Sequence, residues 1–250
     1  MRMLDLCSGI GGFSLPAEIL GIETVAFCEI DDECLRVLNK HWPKTPKHKD
    51  IKTLKGDEYG KIDIITGGYP CQPFSVAGNQ KAQEDDRHIW PELFRIVKQC
   101  RPTWCVFENV LGHIKLGLDE VLNDLESQGY STTALNIPAL AGGANHNRGR
   151  VFVVAHSPSN GRNASKESGS DGKANEYSEK REEENSNNER LSCLRFGVEW
   201  EGNPQWRRGA KPPPLRVDDE LPRRMDRNRM LGNSVDPKIV YEILKVIVNL

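Results

Sequence analysis

The sequence lacks the features that mark several common classes of protein. It has no run of 18 apolar residues, so we expect no membrane-spanning helix and no membrane partner. No signal peptide is expected at the start, because Asp5 and a glycine motif follow Arg2 at once. The seven cysteines include no CxxC pair and do not cluster with the histidines, so we predict no metal site. We expect free thiols in a reducing cytoplasm.

The sequence also lacks a large excess of charge of either sign. The net charge is −2, so any contact with a polyanion must come from local patches rather than from the whole molecule. One such patch is the segment 195–229, which is basic and carries Trp200 and Trp206. A basic surface with interleaved aromatic side chains is compatible with nucleic-acid binding.

Hydrophobic residues make up only 37% of the chain, and one segment accounts for the low value. Residues 156–190 hold almost no large apolar side chain apart from Tyr177, so they cannot bury a core and are predicted to be disordered. The remaining length is sufficient for one α/β domain with a small second lobe.

A glycine turn follows the first predicted strand. The strand Met3–Cys7 leads into Ser8–Phe13, and a helix then runs through Leu20. Strand, glycine turn and helix form the usual nucleotide-binding arrangement. The second strand ends in Glu29, 18 positions after Gly11, where an acid is placed to bind ribose hydroxyls. A solvated glutamate at a helix start is the alternative.

Two reactive side chains follow buried strands further along the chain. Cys71 stands between Pro70 and Pro73 after the predicted strand Ile62–Thr66, where an α/β enzyme places a nucleophile. Glu108 follows the predicted strand Thr103–Phe107 and is a candidate acid on the same edge of the sheet. A packed loop cysteine and a solvated glutamate are the alternatives.

The other elements follow from apolar periodicity and from breakers. We predict a third short strand at Asp50–Ile51, where Asp50 either accepts from an adenine amino group or is a plain loop residue. Residues 75–88 are predicted to be a mobile lid. Arg148 and Arg150 project to one side of an extended backbone before the strand Val151–Ala155. Further helices are predicted at 31–42, 90–99 and 118–128, and a further strand at 131–137.

The last predicted helix is strongly amphipathic and must pack on another part of the protein. We expect it to return to the sheet of the first domain. Its apolar face comprises Ile239, Val240, Ile243, Leu244 and Ile247.

Five motifs occur in the order and spacing of cytosine-C5 DNA methyltransferases, and the chain resembles this family over residues 1–155 and 222–250. They are Asp5–Phe13, Pro70-Cys71-Gln72, Glu108-Asn109-Val110, Arg148-Gly149-Arg150 and Gly232–Val235. The resemblance, which is to compact phage or prophage-type members, implies an α/β fold. It implies a Rossmann-like sheet with helices on both faces and a small irregular target-recognition lobe. The implied organisation is a catalytic and cofactor-binding domain at 1–155, a target-recognition region at 156–222 and a return segment at 223–250.

The resemblance also implies a reaction and roles for individual residues. Cys71 would attack C6 of a cytosine flipped out of duplex DNA, and this attack activates C5 for methylation. Glu108 would protonate or hydrogen-bond N3, and Arg150 would stabilise O2. Arg148 would orient the site, and Asn109 would support the Cys71 loop.

By the same resemblance the cofactor is S-adenosyl-L-methionine. The residues implied to contact it are Cys7, Gly9, Gly11, Gly12, Phe13, Glu29, Ile30, Asp50, Ile51, Pro70, Ile89 and Asn233.

The resemblance leaves two other functions open. One branch of the family methylates tRNA cytosine with the same motifs, and an inactive DNA-binding homologue is a third possibility. We expect a cytoplasmic, monomeric protein encoded by a bacterium or a phage and acting on double-stranded DNA. The sequence does not indicate a target sequence or a cognate restriction endonuclease.

Overall fold

The structure is a computed structural model that describes residues 1–70, 89–143, 149–157 and 234–250. The predicted lid, residues 75–88, lies outside the described residues. So does the predicted target-recognition region from residue 158 onward.

Seven strands and six helices are present in the described ranges. The strands are β1 (Arg2–Leu6), β2 (Glu23–Cys28), β3 (Lys47–His48), β4 (Ile64–Gly68), β5 (Trp104–Val110), β6 (Ser131–Pro138) and β7 (Gly149–His156). The helices are α1 (Ser14–Ile19), α2 (Asp32–His41), α3 (Trp90–Cys100), α4 (His113–Leu116), α5 (Leu118–Ser127) and α6 (Pro237–Val248), and a short 3-10 helix spans Ala139–Gly142.

The strands form one sheet in the order β3-β2-β1-β4-β5-β7-β6. The first five are parallel to one another, whereas β7 runs antiparallel to both β5 and β6. The carboxyl ends of β1, β2, β4 and β5 therefore share one edge of the sheet with the beginning of β7. Described residues that sequence analysis singled out, among them Glu29, Glu108 and Arg150, lie at this edge. It is the edge outside which α/β sheets bind their ligands.

Both faces of the sheet are covered by helices, as expected. One apolar cluster includes Leu93 of α3 and Leu125 of α5. The other lies under α1 and α6, and Ile239, Val240, Ile243, Leu244 and Ile247 are all buried there. The prediction that the last helix returns to this sheet is confirmed.

Some predicted boundaries differ from those in the structure. The predicted strand at Asp50–Ile51 is wrong, because the edge strand is Lys47–His48 and the two residues lie in the turn that follows it. Asp50 starts this turn by accepting a hydrogen bond on Oδ1 from the Lys52 amide at 2.9 Å. Strand β4 begins two residues later than predicted and continues to Gly68. No helix in the described ranges is long and apolar enough to cross a membrane.

Candidate active site

The glycine turn after β1 has a backbone that few side chains tolerate. Cys7, Gly9 and Gly11 have φ values of +49°, +53° and +86°. A Cβ atom on Gly9 would meet nothing within 4 Å, so Gly9 is needed for its backbone conformation. A Cβ atom on Gly11 would lie 2.6 Å from the Trp42 ring, so Gly11 is also needed for packing.

Gly12 and Phe13 face the protein interior. A Cβ atom on Gly12 would lie 2.6 Å from Cγ1 of Val235 and 2.9 Å from Oγ of Ser234. Phe13 is buried in the apolar cluster beneath α6. The missing side chain of Gly12 thus lets the segment that leads into α6 dock against the glycine turn.

Glu29 joins the glycine turn to the beginning of α2. Its Oε2 accepts a hydrogen bond from the Gly9 amide at 2.6 Å, and its Oε1 accepts one from the Asp31 amide at 2.8 Å. A carboxylate has about four lone-pair positions, so capacity remains for further donors. In the described structure, Glu29 therefore links the glycine turn to the beginning of α2 through these two hydrogen bonds.

A cavity of about 780 Å³ opens at this edge of the sheet. Eight residues predicted to contact the cofactor line it: Cys7, Gly9, Glu29, Ile30, Asp50, Ile51, Pro70 and Ile89. Glu108, Asn109 and Arg150 line the same cavity. Gly11, Gly12 and Phe13 are not among its described lining residues.

The cavity suits an adenosine-containing cofactor. Its volume falls in the usual range for cofactor pockets. Carboxylates of Glu29 and Asp50 are available for hydroxyl and amino groups, and the exposed Ile30 offers an apolar surface for a ring.

Glu108 and Arg150 form an ion pair at one wall of the cavity. Nε of Arg150 lies 2.7 Å from Oε1 of Glu108, and both side chains are largely buried. The two residues meet because β7 is antiparallel to β5, so the start of β7 lies beside the end of β5, with Arg150 opposite Val110. Burial raises the pKa of the Glu108 carboxyl to about 7, and Arg150 offsets only part of that effect.

Asn109 lines the cavity and carries a buried amide donor. Its Oδ1 accepts a hydrogen bond from the Val110 amide at 2.8 Å. Its Nδ2 is buried and has no acceptor among the described residues. A buried amide without an acceptor is costly, so this group is suited to donate to a ligand or to a neighbouring loop.

Sequence reasoning missed a buried pair of side chains, one of which, Tyr69, lines the cavity. The Tyr69 hydroxyl lies 2.9 Å from Nε2 of His113, and the Tyr69 ring packs edge-on against Phe107 and obliquely against Trp90. Desolvation lowers the pKa of His113, which favours the neutral ring. The two partners are 44 residues apart, so no local pattern could have revealed the contact.

Other lining residues were also absent from the sequence-based prediction. Each is a near neighbour in sequence of a predicted residue, which is the signal that could have found them. They are Cys28, Asp31, Cys34, Lys49, Lys52, Gly68, Tyr69 and Val110.

Asp5 carries a second buried carboxyl group, directly beneath the glycine turn. It accepts hydrogen bonds from Oγ of Ser14 at 2.7 Å and from Oγ1 of Thr66 at 3.0 Å. Burial raises its pKa to about 7 despite these two donors. The group ties α1 and β4 to β1 and is not among the cavity's lining residues.

Three predicted site residues lie outside the described residues: Cys71, Arg148 and Asn233. Each is covalently adjacent or next but one to a described residue at this edge. Pro70 and Arg150 line the cavity, and Ser234 lies against Gly12.

Comparison with known proteins identifies the family. The profile of C-5 cytosine-specific DNA methylases matches residues 1–196, more than half of the chain. The chain belongs to the C-5 cytosine-specific DNA methylase family.

Relatives in this family include type II methyltransferases of bacteria. The chain is 35% identical over 161 residues to M.HgiCII of Herpetosiphon aurantiacus, which covers 61% of this chain and 36% of the relative. It is 32% identical over 157 residues to M.NgoMIV of Neisseria gonorrhoeae, covering 61% of this chain and 50% of the relative. The match thus spans between about a third and a half of the length of these relatives.

Solved structures support the fold assignment. The Dnmt2 methyltransferase of Schizosaccharomyces pombe aligns with a TM-score of 0.55 at 24% identity, over 62% of this chain and 50% of that chain. The Entamoeba histolytica methyltransferase EhMeth aligns with a TM-score of 0.53 at 19% identity, over 62% and 52% of the two chains. The seven-stranded sheet is therefore the Rossmann-like α/β fold that the sequence predicted.

Proposed function

We propose that this protein transfers a methyl group from S-adenosyl-L-methionine to C5 of a cytosine in duplex DNA. One observation carries the proposal. The Glu108–Arg150 pair lines the same cavity as the glycine turn and Glu29. Glu108 and Arg150 are suited to stabilise charge on a pyrimidine ring, and the glycine turn and Glu29 are suited to bind an adenosine. Family membership supports the same reaction.

In this proposal Cys71 supplies the nucleophile. C5 of cytosine is a poor nucleophile until a thiolate adds to C6, which places electron density on C5 and negative charge at N3 and O2. Cys71 directly follows Pro70, a residue of the cavity wall. Departure of the same thiolate after the proton on C5 is removed restores the aromatic ring.

Glu108 and Arg150 stabilise the charge that this addition creates. A carboxyl group whose pKa is about 7 is protonated in a large fraction of molecules at neutral pH, so Glu108 can donate to N3. The guanidinium of Arg150 donates to O2. We propose that Arg148 orients this pair and that Asn109 uses its buried Nδ2 to hold the segment that carries Cys71.

The cofactor, when bound, supplies an electrophilic methyl group. Glu29 would accept hydrogen bonds from the ribose hydroxyls, and Ile30 and Ile51 would contact the adenine ring. The remaining proposed contacts are Cys7, Gly9, Asp50, Pro70, Ile89 and Asn233. Gly11, Gly12 and Phe13 would act indirectly, by shaping the turn.

A stacked cytosine is not accessible to a side chain at the sheet edge, so the base must leave the helix before the reaction. We propose that residues 156–222 read the DNA, while residues 1–155 and 223–250 form the catalytic and cofactor-binding unit. The two tryptophans and the excess of basic residues in 195–229 support this division.

The decisive experiment is expression in a host that lacks cytosine methylation, followed by genome-wide mapping of 5-methylcytosine. We expect methylation within one fixed short sequence. Cys71→Ser is the matched control, and it should leave the host DNA unmodified because an alcohol is a far weaker nucleophile than a thiolate.

The other outcomes separate the alternatives. Methylated cytosine in the RNA of the same cells, with none in the DNA, would establish the RNA enzyme. Full activity of Cys71→Ser would contradict the covalent mechanism. No modified cytosine in either nucleic acid would favour an inactive binding protein.

A further inference from the structure

The turn that follows β3 forms one wall of the cavity, and although Ile51 and Leu54 pack into the apolar cluster on the sheet, little strand pairing fixes its backbone. Asp50 and Ile51 line the cavity from this turn. Strand β3 lies at the edge of the sheet and pairs with β2 through only two residues, Lys47 and His48. The ladder alone therefore constrains the position of the turn weakly.

Arg95 on α3 holds the turn from the other side. Its Nη2 donates to the Ile51 carbonyl at 2.8 Å, and its Nη1 donates to the Leu54 carbonyl at 2.9 Å. Its Nε lies 2.7 Å from Oε2 of Glu92, which fixes the plane of the guanidinium. A planar fork with donors on both prongs is the geometry that an arginine offers and a lysine does not.

The end of the turn is docked on the same helix. The Gly56 amide donates to Oε1 of Gln99 at 2.9 Å, and the Gly56 carbonyl accepts from Sγ of Cys100 at 3.2 Å. A Cβ atom on Gly56 would lie 2.6 Å from Cβ of Gln99, so the backbone approaches the helix as closely as glycine permits. Arg95 therefore binds the backbone of the turn at Ile51 and Leu54, nearer the cavity, and Gln99 binds it at Gly56, further from the cavity.

Helix α3 also borders the cavity directly. Ile89, the residue before its first turn, is one of the lining residues. The helix thus fixes two walls of one cavity, one through Ile89 and one through Arg95.

We propose that Arg95 is a positioning residue for cofactor binding, which it supports by holding the Ile51 and Leu54 carbonyls so that Asp50 and Ile51 keep their place in the cavity wall. The inference rests on the proposed cofactor site. Arg95 itself is not among the described residues that line the cavity, so it acts only through the turn.

The test is isothermal titration of the full-length protein with S-adenosylmethionine. Arg95→Gln should raise the Kd by about ten-fold, because two charge-assisted hydrogen bonds to the turn are lost. Arg95→Lys should fall between this variant and the wild type. Lys98→Gln is the matched control, since it removes the same charge from the same helix and Lys98 contacts only the Phe94 ring among the described contacts.

Kinetics distinguish positioning from general damage. With DNA substrate, Arg95→Gln should raise the KM for S-adenosylmethionine and leave kcat at saturating cofactor within about two-fold of the wild type. Gln99→Ala removes the acceptor of the Gly56 amide and a 3.2 Å contact with Nη1 of Arg95, but it leaves the Arg95 hydrogen bonds to the Ile51 and Leu54 carbonyls in place. It should therefore bind the cofactor nearly as well as the wild type.

The possible results distinguish failure of the inference about Arg95 from failure of the proposed function. If Arg95→Gln binds S-adenosylmethionine as tightly as Lys98→Gln does, the inference is wrong. If the wild type itself does not bind S-adenosylmethionine, the proposed function fails instead. Should Arg95→Gln not fold, the comparison of Arg95→Lys with Lys98→Gln decides the question in the same way.

Discussion

Two buried carboxyl groups, those of Asp5 and Glu108, have raised pKa values for one physical reason and serve different purposes. Burial disfavours the charged form of each and raises both pKa values to about 7. Glu108 faces the cavity and is available to a substrate. Asp5 is enclosed by hydroxyl groups and holds three elements together. We therefore propose that titration near neutral pH affects catalysis through Glu108 and stability through Asp5.

The raised pKa of Glu108 predicts how the rate of methyl transfer depends on pH. In the proposed mechanism protonated Glu108 is the active form, so the single-turnover rate should fall as pH rises through about 7. Glu108→Gln should lower the rate by about 100-fold or more and abolish this descending limb. Rapid-quench assays from pH 6 to 9 measure both effects.

The exposed residue Glu120 supplies the control for that experiment. Glu120→Gln, on α5, should retain the wild-type rate and profile. A descending limb that survives in Glu108→Gln would assign the titration to another group.

The structural case predicts how stability changes with pH. The pKa of Asp5 is raised from 3.8 to about 7 on folding, so between these values the folded protein binds more protons than the unfolded chain. The free energy of unfolding should therefore fall as pH rises through this range, and Glu108 contributes with the same sign. Asp5→Asn should make this decline shallower.

Urea titrations at several pH values measure the slope. The exposed Asp57 provides the control, because Asp57→Asn removes a carboxyl group that is not buried. An unchanged slope in Asp5→Asn would mean that Asp5 is ionised in the folded protein throughout this range.

At the scale of elements, the sequence predicted which strand ends meet but not every contact between them. Glu29 and Glu108 follow apolar runs, and parallel strands bring their carboxyl ends to one edge, so the candidate site could be located from local pattern. The placement of Arg150 beside Glu108 required a strand running the opposite way, and no residue near position 150 signals that direction. The Tyr69–His113 contact depends in the same way on chain topology rather than on local periodicity.

The contact between the glycine turn and the segment leading into α6 predicts an effect of Gly12→Ala. The new methyl group would lie 2.6 Å from Val235 Cγ1, 2.9 Å from Ser234 Oγ and 3.1 Å from the Val235 carbonyl, so the segment must shift. We expect a loss of about 1–3 kcal/mol in the free energy of unfolding. Chemical denaturation measures this loss.

Gly112→Ala is the matched control, because a Cβ atom there would meet nothing within 4 Å and its φ is −58°. Its stability should stay within about 0.5 kcal/mol of the wild type. If Gly12→Ala keeps its stability and loses affinity for S-adenosylmethionine, Gly12 contacts the cofactor directly, as the family resemblance implies.

For the molecule as a whole, the described residues from both ends of the chain share one sheet and its two apolar layers. Helix α6 supplies five buried side chains to the layer beneath α1. Ser157, the last described residue of the middle part of the chain, donates its amide to the Thr103 carbonyl at the amino end of β5. Val235, at the start of the last described range, lies against Gly12 at the opposite edge of the sheet.

This geometry makes the proposed division of the chain testable by replacement. Strand β5 has 7 residues, and at about 3.3 Å per residue it measures about 23 Å from edge to edge. A flexible Gly/Ser linker of about 16 residues has a root-mean-square length of about 22 Å and would bridge this distance. Substituting it for residues 160–230 should leave a folded protein, because no described core residue is removed.

The shortened protein should lose DNA binding and methyl transfer and keep its cofactor site, because none of the proposed cofactor contacts lies within residues 160–230. Its affinity for S-adenosylmethionine should remain measurable by calorimetry, since eight of the proposed contacts lie in residues 1–70 and Ile89. A DNA mobility-shift assay that compares the shortened protein with the full-length chain measures the expected loss of DNA binding. If the shortened protein does not fold while the full-length chain does, residues 160–230 contribute to the common core, and the division into a catalytic unit and an inserted reading region is wrong.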